Sequence, residues 1–254
     1  MGTRTEYAPG TFCWADLSTS DSAGAKAFYS GLLGWECEDN EAPDGSVYSM
    51  CKVEGESVAG ISSGTGPVPP HWNNYVSVTS ADESAARAVE LGATPIEQPF
   101  DIGDAGRVAV FQDPTGAMLC LWEPGEMIGA GRVNEPGCLT WNELHTPDPA
   151  EAVAFYTALF GWSAEEMDTG EGNPGYTVLR NGERTNGGVM DAQPGEPPNW
   201  LPYFVVESRD GAVARAKELG SPQAFSLDMD QGRIAVLADP QGAALGLFEG
   251  EVDD

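Results

Sequence analysis

Glu143 and His145 are the two residues best suited to chemistry in this sequence. They lie two positions apart in TWNELHT, where alternating residue types predict a strand, so both side chains leave the strand on one face. Imidazole titrates near neutral pH, and a neighbouring carboxylate makes the pair a candidate for general acid–base catalysis. The alternative is that His145 caps the following helix or lies at a rim without chemistry. The other histidine, His71, follows prolines in PVPPHW and is interpreted as a loop residue.

Two tryptophans occupy corresponding places and could form a ligand-stacking wall. Trp14 lies in TFCWADLS and Trp141 in CLTWNELH, each two residues before an acid, Asp16 and Glu143. An indole offers a large flat face that suits aromatic or hydrophobic ligands. The alternative is that these indoles only fill the protein core, and the sequence leaves both interpretations open.

This correspondence extends over the whole chain, which consists of two copies of one unit. PGTFCWADLSTSDSAGAKAFYSGLLGW at 9–35 aligns with PGCLTWNELHTPDPAEAVAFYTALFGW at 136–162, with 14 of 27 positions identical. Further matches are Tyr48 with Tyr176, Gly60 with Gly188, and GRVAVFQDPTGA with GRIAVLADPQGA.

Each copy is predicted to contain a strand, a helix and three strands, repeated once. TFCWADLS predicts the first strand, Asp21 caps a helix running to about Leu33, and Gly34 ends that helix. Strands are predicted near 35–40, 46–53, 57–62, 73–79, 94–99, 107–112 and 117–122, with a second helix near 81–91. This order predicts an α+β fold with helices on one side of curled, mixed sheets.

These motifs resemble the vicinal oxygen chelate superfamily, which includes glyoxalase I, bleomycin-resistance proteins and extradiol dioxygenases. The resemblance rests on Asp21, Phe28, Tyr29, Gly34, Trp35 and the turn 113–116, and on Asp148, Phe155, Tyr156, Gly161, Trp162 and the turn 239–242. It implies two domains, at 8–124 and 136–250, joined by a linker at 125–135. Each domain would curl into a cup that holds metal and substrate. Duplicated actinobacterial members labelled "hydroxylase" or glyoxalase-like are similar.

The same resemblance implies where a metal would bind, because metal-binding members take one His, Glu or Gln from each of four strands. The corresponding positions are Trp14, Gly60, Asn73 and Cys120 in the first copy, and Trp141, Gly188, Leu201 and Gly246 in the second. Side chains of Trp, Gly and Leu do not ligate metals, so we expect both cups to be metal-free and to need no cofactor. Glu123 and Glu249 end the last strands, but alternation points them out of the cup unless a bulge intervenes.

The cups are instead expected to be lined by aromatic and polar side chains. The candidate ligand-binding residues are Trp14, Asp16, Asn73, Tyr75, Trp122, Trp141, Tyr203 and Phe248, and the candidate catalytic residues are Glu143 and His145. If only one cup is active, we expect it to be the second, because only that cup contains the Glu143–His145 pair.

Composition restricts the partners and the setting. Forty acidic residues against 12 basic ones give a net charge of −28, which repels nucleic acid and anionic membranes. Five cysteines, an odd number without a C-x-x-C pair, argue against a disulfide framework or a structural zinc site. The N-terminus has no secretory apolar region, and no segment is long and apolar enough to span a membrane, so we expect a cytoplasmic protein, monomeric or homodimeric.

Two functions remain open at this point. The first is a metal-independent protein that binds a hydrophobic, aromatic small molecule, such as a polyketide or antibiotic intermediate, in biosynthesis or resistance. The second is a tailoring enzyme, a hydroxylase, isomerase or glyoxalase-like lyase, that uses Glu143 and His145 or a metal site placed elsewhere.

Overall fold

The strands of each copy form one eight-stranded sheet. The computed structural model describes residues 2–41, 45–64, 68–169, 175–222 and 224–252. The first copy contains β1 (Phe12–Thr19), α1 (Ser22–Leu33), β2 (Glu36–Glu41), β3 (Val47–Val53), β4 (Glu56–Ser63), β5 (His71–Ser77), α2 (Ala81–Glu90), β6 (Thr94–Ile102), β7 (Gly106–Gln112) and β8 (Met118–Pro124). The second contains β9 (Leu139–Thr146), α3 (Pro149–Phe160), β10 (Ser163–Met167), β11 (Tyr176–Asn181), β12 (Arg184–Asp191), β13 (Asn199–Val205), α4 (Arg209–Glu218), β14 (Ala224–Met229), β15 (Gly232–Ala238) and β16 (Ala244–Gly250). The predicted element order and the α+β class are confirmed.

The strand order places the predicted site positions next to one another. The sheets run β2-β3-β4-β1-β5-β8-β7-β6 and β10-β11-β12-β9-β13-β16-β15-β14, so the first strand of each copy is central. Asp16 on β1 is in register with Gly60 on β4 and Asn73 on β5. Glu143 on β9 has the same relation to its own neighbours, β12 and β13. We call the faces opposite the helices cup 1 and cup 2, for the first and second copy.

The first helix of each copy begins and ends as predicted. The Asp21 side chain accepts a hydrogen bond from the Gly24 N–H at 2.9 Å, which satisfies one of the free donors of the first turn. Gly34 then stops the helix with φ 75°, a left-handed conformation that glycine adopts without steric cost. Asp148 and Gly161 do the same for α3. These local signals fix the point at which the chain turns back into the sheet.

The two helix-side hydrophobic cores are each shared between the copies. One core packs Phe28 and Tyr29 of α1 and Leu17 of β1 against Phe204 and Leu247 of the second sheet. The other core packs α3 of the second copy against β5, β7 and β8 of the first. Each copy therefore completes the core of the other, and the helices lie between the two sheets.

Two reciprocal hydrogen bonds also join the copies, each from the first helix of one copy to the Asp-Pro turn of the other. The Tyr156 hydroxyl donates to Asp113 Oδ2 at 2.8 Å, and the Tyr29 hydroxyl donates to Asp239 Oδ2 at 3.2 Å. All four side chains are buried. The tyrosine of the Phe-Tyr motif in each copy thus binds the Asp-Pro turn of the other, an isologous contact like that of a twofold-symmetric dimer.

One disulfide is present, although the odd number of cysteines argued against a disulfide framework. Cys37 and Cys51 are bonded to each other, while Cys13, Cys120 and Cys138 are free and buried. Cys37 and Cys51 are directly opposite on the antiparallel strands β2 and β3. A separation of 14 residues in sequence hides this proximity, which only the register of the hairpin reveals. Over the described residues, no helix is long and apolar enough to cross a membrane.

Candidate functional site

A buried carboxylate lies at the centre of cup 1. Asp16 is 5% exposed and accepts hydrogen bonds from the Tyr75 hydroxyl at 2.7 Å, the Tyr48 hydroxyl at 3.2 Å and Asn73 Nδ2 at 2.8 Å. Trp14 Nε1 donates to the Tyr48 hydroxyl at 3.0 Å. The structure therefore brings together four of the predicted residues, but as a closed hydrogen-bond network that leaves no obvious free donor.

Cup 2 repeats this network with different chemistry at its rim. Glu143, 7% exposed, accepts from the hydroxyls of Tyr176 and Tyr203, each at 2.8 Å, and Trp141 Nε1 donates to the Tyr176 hydroxyl at 2.9 Å. His145 Nε2 lies 2.9 Å from Glu143 Oε1. The predicted Glu143–His145 contact is thus present, inside a set of donors that the sequence did not predict in full.

Tyr48 and Tyr176 are two site residues that the sequence analysis missed. Both come from the third strand of their copy and reach across the sheet to the acid on the first. The repeat retains a tyrosine at both positions, and that was the available signal. A tyrosine in a strand can equally be a residue of the hydrophobic core. The match between Tyr48 and Tyr176 alone therefore did not indicate a functional role.

Burial or neighbouring charges raise the pKa values of the site's tyrosines, of Asp16 and of His145. Burial, followed by the nearby Asp16 charge, raises the pKa of Tyr75 and of Tyr48 well above the usual range. Burial raises the pKa of Asp16 itself, against the opposing effect of its three hydrogen bonds. For His145, burial disfavours the charged form, but the hydrogen bonds and charges of Glu143 and Glu196 outweigh it and raise its pKa.

Glu196 completes the surroundings of His145. His145 Nδ1 lies 2.7 Å from Glu196 Oε1, on the loop before β13. Ionised carboxylates only accept hydrogen bonds, so an imidazole between two of them carries a proton on each nitrogen. In this form His145 offers no lone pair to a substrate, and its positive charge lies beside the buried carboxyl group of Glu143.

The residues at the superfamily's metal positions do not fit a metal. A Cβ atom at Gly60 would overlap the Tyr48 hydroxyl, a Cβ at Gly188 would overlap that of Tyr176, and one at Gly246 would overlap the Tyr203 ring. Tyrosine side chains therefore occupy the space in which a ligand side chain would project. Among the described residues, no three His, Cys, Asp or Glu side chains are grouped so that they could hold a metal ion.

Glu123 and Glu249, the two acids that could replace a missing ligand, point out of the cups. Glu123 Oε2 accepts from the Ala81 N–H at 2.9 Å, and Glu249 Oε2 accepts from the Arg209 N–H at 2.6 Å. Each carboxylate thus binds the N-terminus of α2 or α4, where the helix dipole favours a negative charge. The alternation rule placed them correctly.

Cup 1 is closed at one end by the chain itself. We define residues 125–135 as the strap; it lies over Trp14 and Trp122 together with the N-terminal segment. Trp122 Nε1 donates to the Met127 carbonyl at 2.9 Å, and the Tyr7 hydroxyl donates to the Ala130 carbonyl at 2.7 Å. Trp14 and Trp122 are 3% and 6% exposed. The segment predicted as a linker thus also fills the space beside two predicted ligand-binding residues.

Cup 2 has no such cover among the described residues. Trp141 and Phe248, which correspond to Trp14 and Trp122, are partly exposed. All seven tryptophans of the chain lie in the described part, and Trp141 is the only one of them that is not buried. The two cups therefore contain equivalent hydrogen-bond networks, but their aromatic side chains differ in exposure to solvent.

His71 lies opposite Ser18, beside the Asp16 network of cup 1, and its charge lowers the pKa of Asp16 against the larger effect of burial. It begins β5, and its Nδ1 is 2.8 Å from the Pro69 carbonyl oxygen. The side chain bonds back to the preceding loop, but the interpretation of His71 as a loop residue is wrong, because it is the first residue of β5.

Comparisons with known proteins agree with this geometry. The model of a glyoxalase-like domain family matches residues 14–122 and 141–248. The putative glyoxylase CFP32 of Mycobacterium tuberculosis is 42% identical over 258 residues, covering 98% of each chain. The anthracycline biosynthesis protein DnrV of Streptomyces peucetius is 32% identical, covering 96% of this chain and 95% of that protein. A Mn(II)-bound glyoxalase from Novosphingobium aromaticivorans has a TM-score of 0.67 at 16% identity, covering 100% of this chain and 84% of the other, which is a likeness of fold.

Proposed function

The chain belongs to the glyoxalase-like domain family, and from that premise we propose that it binds a flat, hydrophobic small molecule in cup 2 without a metal. The ligand belongs to the aromatic polyketide class, and the protein acts in antibiotic biosynthesis or resistance. Cup 1 serves as a scaffold. A cytoplasmic location and a monomeric or homodimeric state stay predictions.

The difference in access between the cups carries this proposal. Trp141 is partly exposed at the open end of cup 2, with Tyr203 and Phe248 on the same face, whereas Trp14 is buried under the strap. An accessible indole beside further aromatic side chains suits a flat apolar ligand, and the polar groups beneath it can fix the ligand's orientation.

The chemistry of the donor sets supports metal independence. Six of the eight positions that would supply ligands hold Trp, Gly or Leu, and the other two, Asn73 and Cys120, do not suffice to hold a catalytic ion. Tyrosine side chains pack against three of these positions. Metal analysis of the purified protein tests this point directly. We expect far less than one equivalent of divalent ion per chain, and no increase in Tm on adding Mn²⁺. One tightly held equivalent would contradict the proposal.

The relatives support the class of ligand. DnrV and DauV are described as anthracycline biosynthesis proteins, and DauV is also 32% identical to this chain. Anthracyclines are fused-ring aromatic polyketides, which are flat and largely apolar. An indole face is a favourable surface for such a molecule.

A matched pair of variants tests the binding site. Titration of the wild type with an anthracyclinone should quench the tryptophan emission and give a Kd. We expect Trp141→Phe to remove most of the quenching and to weaken binding about tenfold by calorimetry, since a large stacking surface is lost. Trp14→Phe, at the same position of the other copy, should leave binding within about twofold. Equal effects of both variants, or no binding by the wild type to any aromatic polyketide, would contradict the proposal.

Acid–base catalysis in cup 2 is the second candidate, because the 2.9 Å contact of Glu143 with His145 has the required geometry. The contact of Glu196 with the other ring nitrogen argues against it. The two functions differ in one measurement. If the protein is an enzyme, His145→Asn abolishes turnover of a bound ligand and spares binding; if it is a binder, no turnover is present to abolish.

A further inference from the structure

Strand β14, at the edge of the second sheet, exposes three large apolar side chains in alternation. Phe225, Leu227 and Met229 are 63%, 45% and 39% exposed. Alternate residues of a strand share one face, so these three form a continuous apolar stripe. Exposed apolar groups on an edge strand are a liability that proteins usually avoid, so the stripe calls for a function.

The register of the sheet shows that this stripe belongs to cup 2. One row of paired residues crosses the sheet in the order Trp141, Tyr203, Gly246, Val236 and Phe225. The residues on the other face of the same strands, such as Ala235 and Leu237, are buried beneath the helices. Phe225 therefore faces the same side as Trp141, with three strands between them.

In copy 2 no large side chain projects from the middle of this row, and the row ends in Phe225. In copy 1 the corresponding row ends in a charged residue. Gly246 has no side chain of its own, and the Tyr203 ring lies against it, so the floor between Tyr203 and Val236 is flat. The matching row of copy 1 runs Trp14, Tyr75, Cys120, Val110 and Glu97. A carboxylate thus stands where copy 2 has Phe225, whereas the counterparts of Leu227 and Met229 are Phe100 and Ile102, which are 42% and 46% exposed.

We propose that the ligand site of cup 2 extends along this row to β14, so that the ligand is an elongated polycyclic molecule whose far end lies on Phe225 and Leu227. This inference rests on the proposed function. Neighbouring strands are about 4.8 Å apart, so Phe225 lies roughly 19 Å from Trp141 along the sheet, less the effect of its curl. A single ring cannot contact both ends, whereas several fused rings with a substituent can.

Charge favours a small molecule over a second copy of the chain as the occupant of the stripe. Each chain carries a net charge of −28, so two chains repel each other at close approach. A neutral or cationic polycyclic ligand meets no such opposition.

A series of ligands of increasing size tests the extension. Calorimetry of the full chain with naphthoquinone, anthraquinone and a tetracyclic anthracyclinone should give affinities that rise with ring number. We expect Phe225→Glu, which installs the residue of copy 1, and Leu227→Ser each to weaken binding of the tetracycle about tenfold, because apolar contact is lost. Naphthoquinone binding should change less than about twofold in both variants.

Phe100→Ser in copy 1 is the matched control, because Phe100 pairs with Val108 as Leu227 pairs with Ile234. It should leave all affinities unchanged. If the tetracycle binds the wild type and both β14 variants equally, the extension is wrong while the proposed function stands. If the variants alter only the oligomeric state in sedimentation experiments, the stripe is a contact between copies and the inference is overturned. If no ligand of any size binds the wild type, the proposed function fails first.

Discussion

His145 is the residue whose surroundings differ most between the two cups. Its two ring nitrogens face Glu143 and Glu196, whereas the corresponding position of copy 1 is Ser18. A residue with a net positive charge at this point balances a buried carboxylate that copy 1 instead binds with Asn73. Each copy thus contains a buried acid, but the acid is bound by Asn73 in copy 1 and by His145 in copy 2.

The raised pKa of His145 gives a pH dependence with a definite sign. A group whose folded pKa exceeds its unfolded value of 6.5 contributes stability below that value and loses it as pH rises through the folded pKa. The free energy of unfolding of the wild type should therefore exceed that of His145→Asn at about pH 6, and the difference should shrink as the pH rises through the folded pKa of His145.

Proton NMR checks the same prediction independently. The chain has two histidines, so two imidazole signals are expected, and the one lost in His145→Asn identifies His145. Its midpoint should lie above 6.5, the value of an unperturbed histidine. A midpoint at or below that value would contradict the double hydrogen bond.

Gly60 provides a second test at this scale, because its missing side chain makes room for Tyr48. Gly60→Ala should displace the tyrosine from Asp16 and destabilise the fold by about 1–3 kcal/mol, as overpacking does. Gly175→Ala, with open space at its Cβ and no positive φ, is the control and should change the free energy of unfolding by less than about 0.5 kcal/mol. Denaturant unfolding measures both.

The strap is the element that makes the two cups unequal. Ala130 is fully buried in the cluster that contains Trp14 and Trp122. Ala130→Asp places a charge in that cluster and should displace the strap, since burying an unpaired charge is strongly unfavourable. Acrylamide should then quench Trp14 and Trp122 in addition to Trp141.

Two comparisons keep that experiment interpretable. Ala150→Asp, at an exposed position in the first turn of α3, should leave acrylamide quenching as in the wild type. Retained ligand binding by cup 2 shows that Ala130→Asp has not unfolded the protein. Unchanged quenching in a folded Ala130→Asp variant would mean that the strap does not shield these indoles.

Much at the scale of elements follows from sequence patterns. Asp21, Gly34 and the alternation in TFCWADLS act over a few residues, so they predict the first strand and helix well. The same alternation placed Glu123 and Glu249 outside the cups. Contacts that depend on how separate strands pair cannot be predicted from local sequence patterns. The sequence analysis therefore missed Tyr48, Glu196 and the Cys37–Cys51 bond.

The strap illustrates another limit of sequence reasoning. Glycines and polar residues in PGEMIGAGRVNE indicate a connection between domains, but not the surface on which that connection lies. The choice between indoles as pocket and indoles as core depends on this surface. Trp14 and Trp141 have the same local sequence pattern and differ only in what covers them.

At the scale of the whole molecule, the shared cores predict that the two copies unfold together. Tyr156 and Tyr29 each donate to a buried aspartate of the other copy. Tyr156→Phe leaves Asp113 with one donor fewer, so we expect a loss of about 1–3 kcal/mol. The transition should stay single and cooperative when tryptophan emission and far-ultraviolet circular dichroism are followed together.

Tyr7→Phe is a useful comparison, because its hydroxyl binds the strap rather than the other copy. It should cost less stability than Tyr156→Phe. Two separate transitions in the wild type, one for each copy, would contradict the shared cores.

The reciprocal tyrosine contacts bear on how this chain acquired two unlike cups. They have the reciprocal pattern of contacts in a symmetric homodimer, here within a single polypeptide. A homodimer encodes both of its sites in one gene, so a change that closes one site closes the other. In a single polypeptide the two halves can change independently. The aromatic side chains of cup 1 can therefore be covered while those of cup 2 stay partly exposed. The covalent link between the halves, and not a change of fold, permits this difference between the two cups.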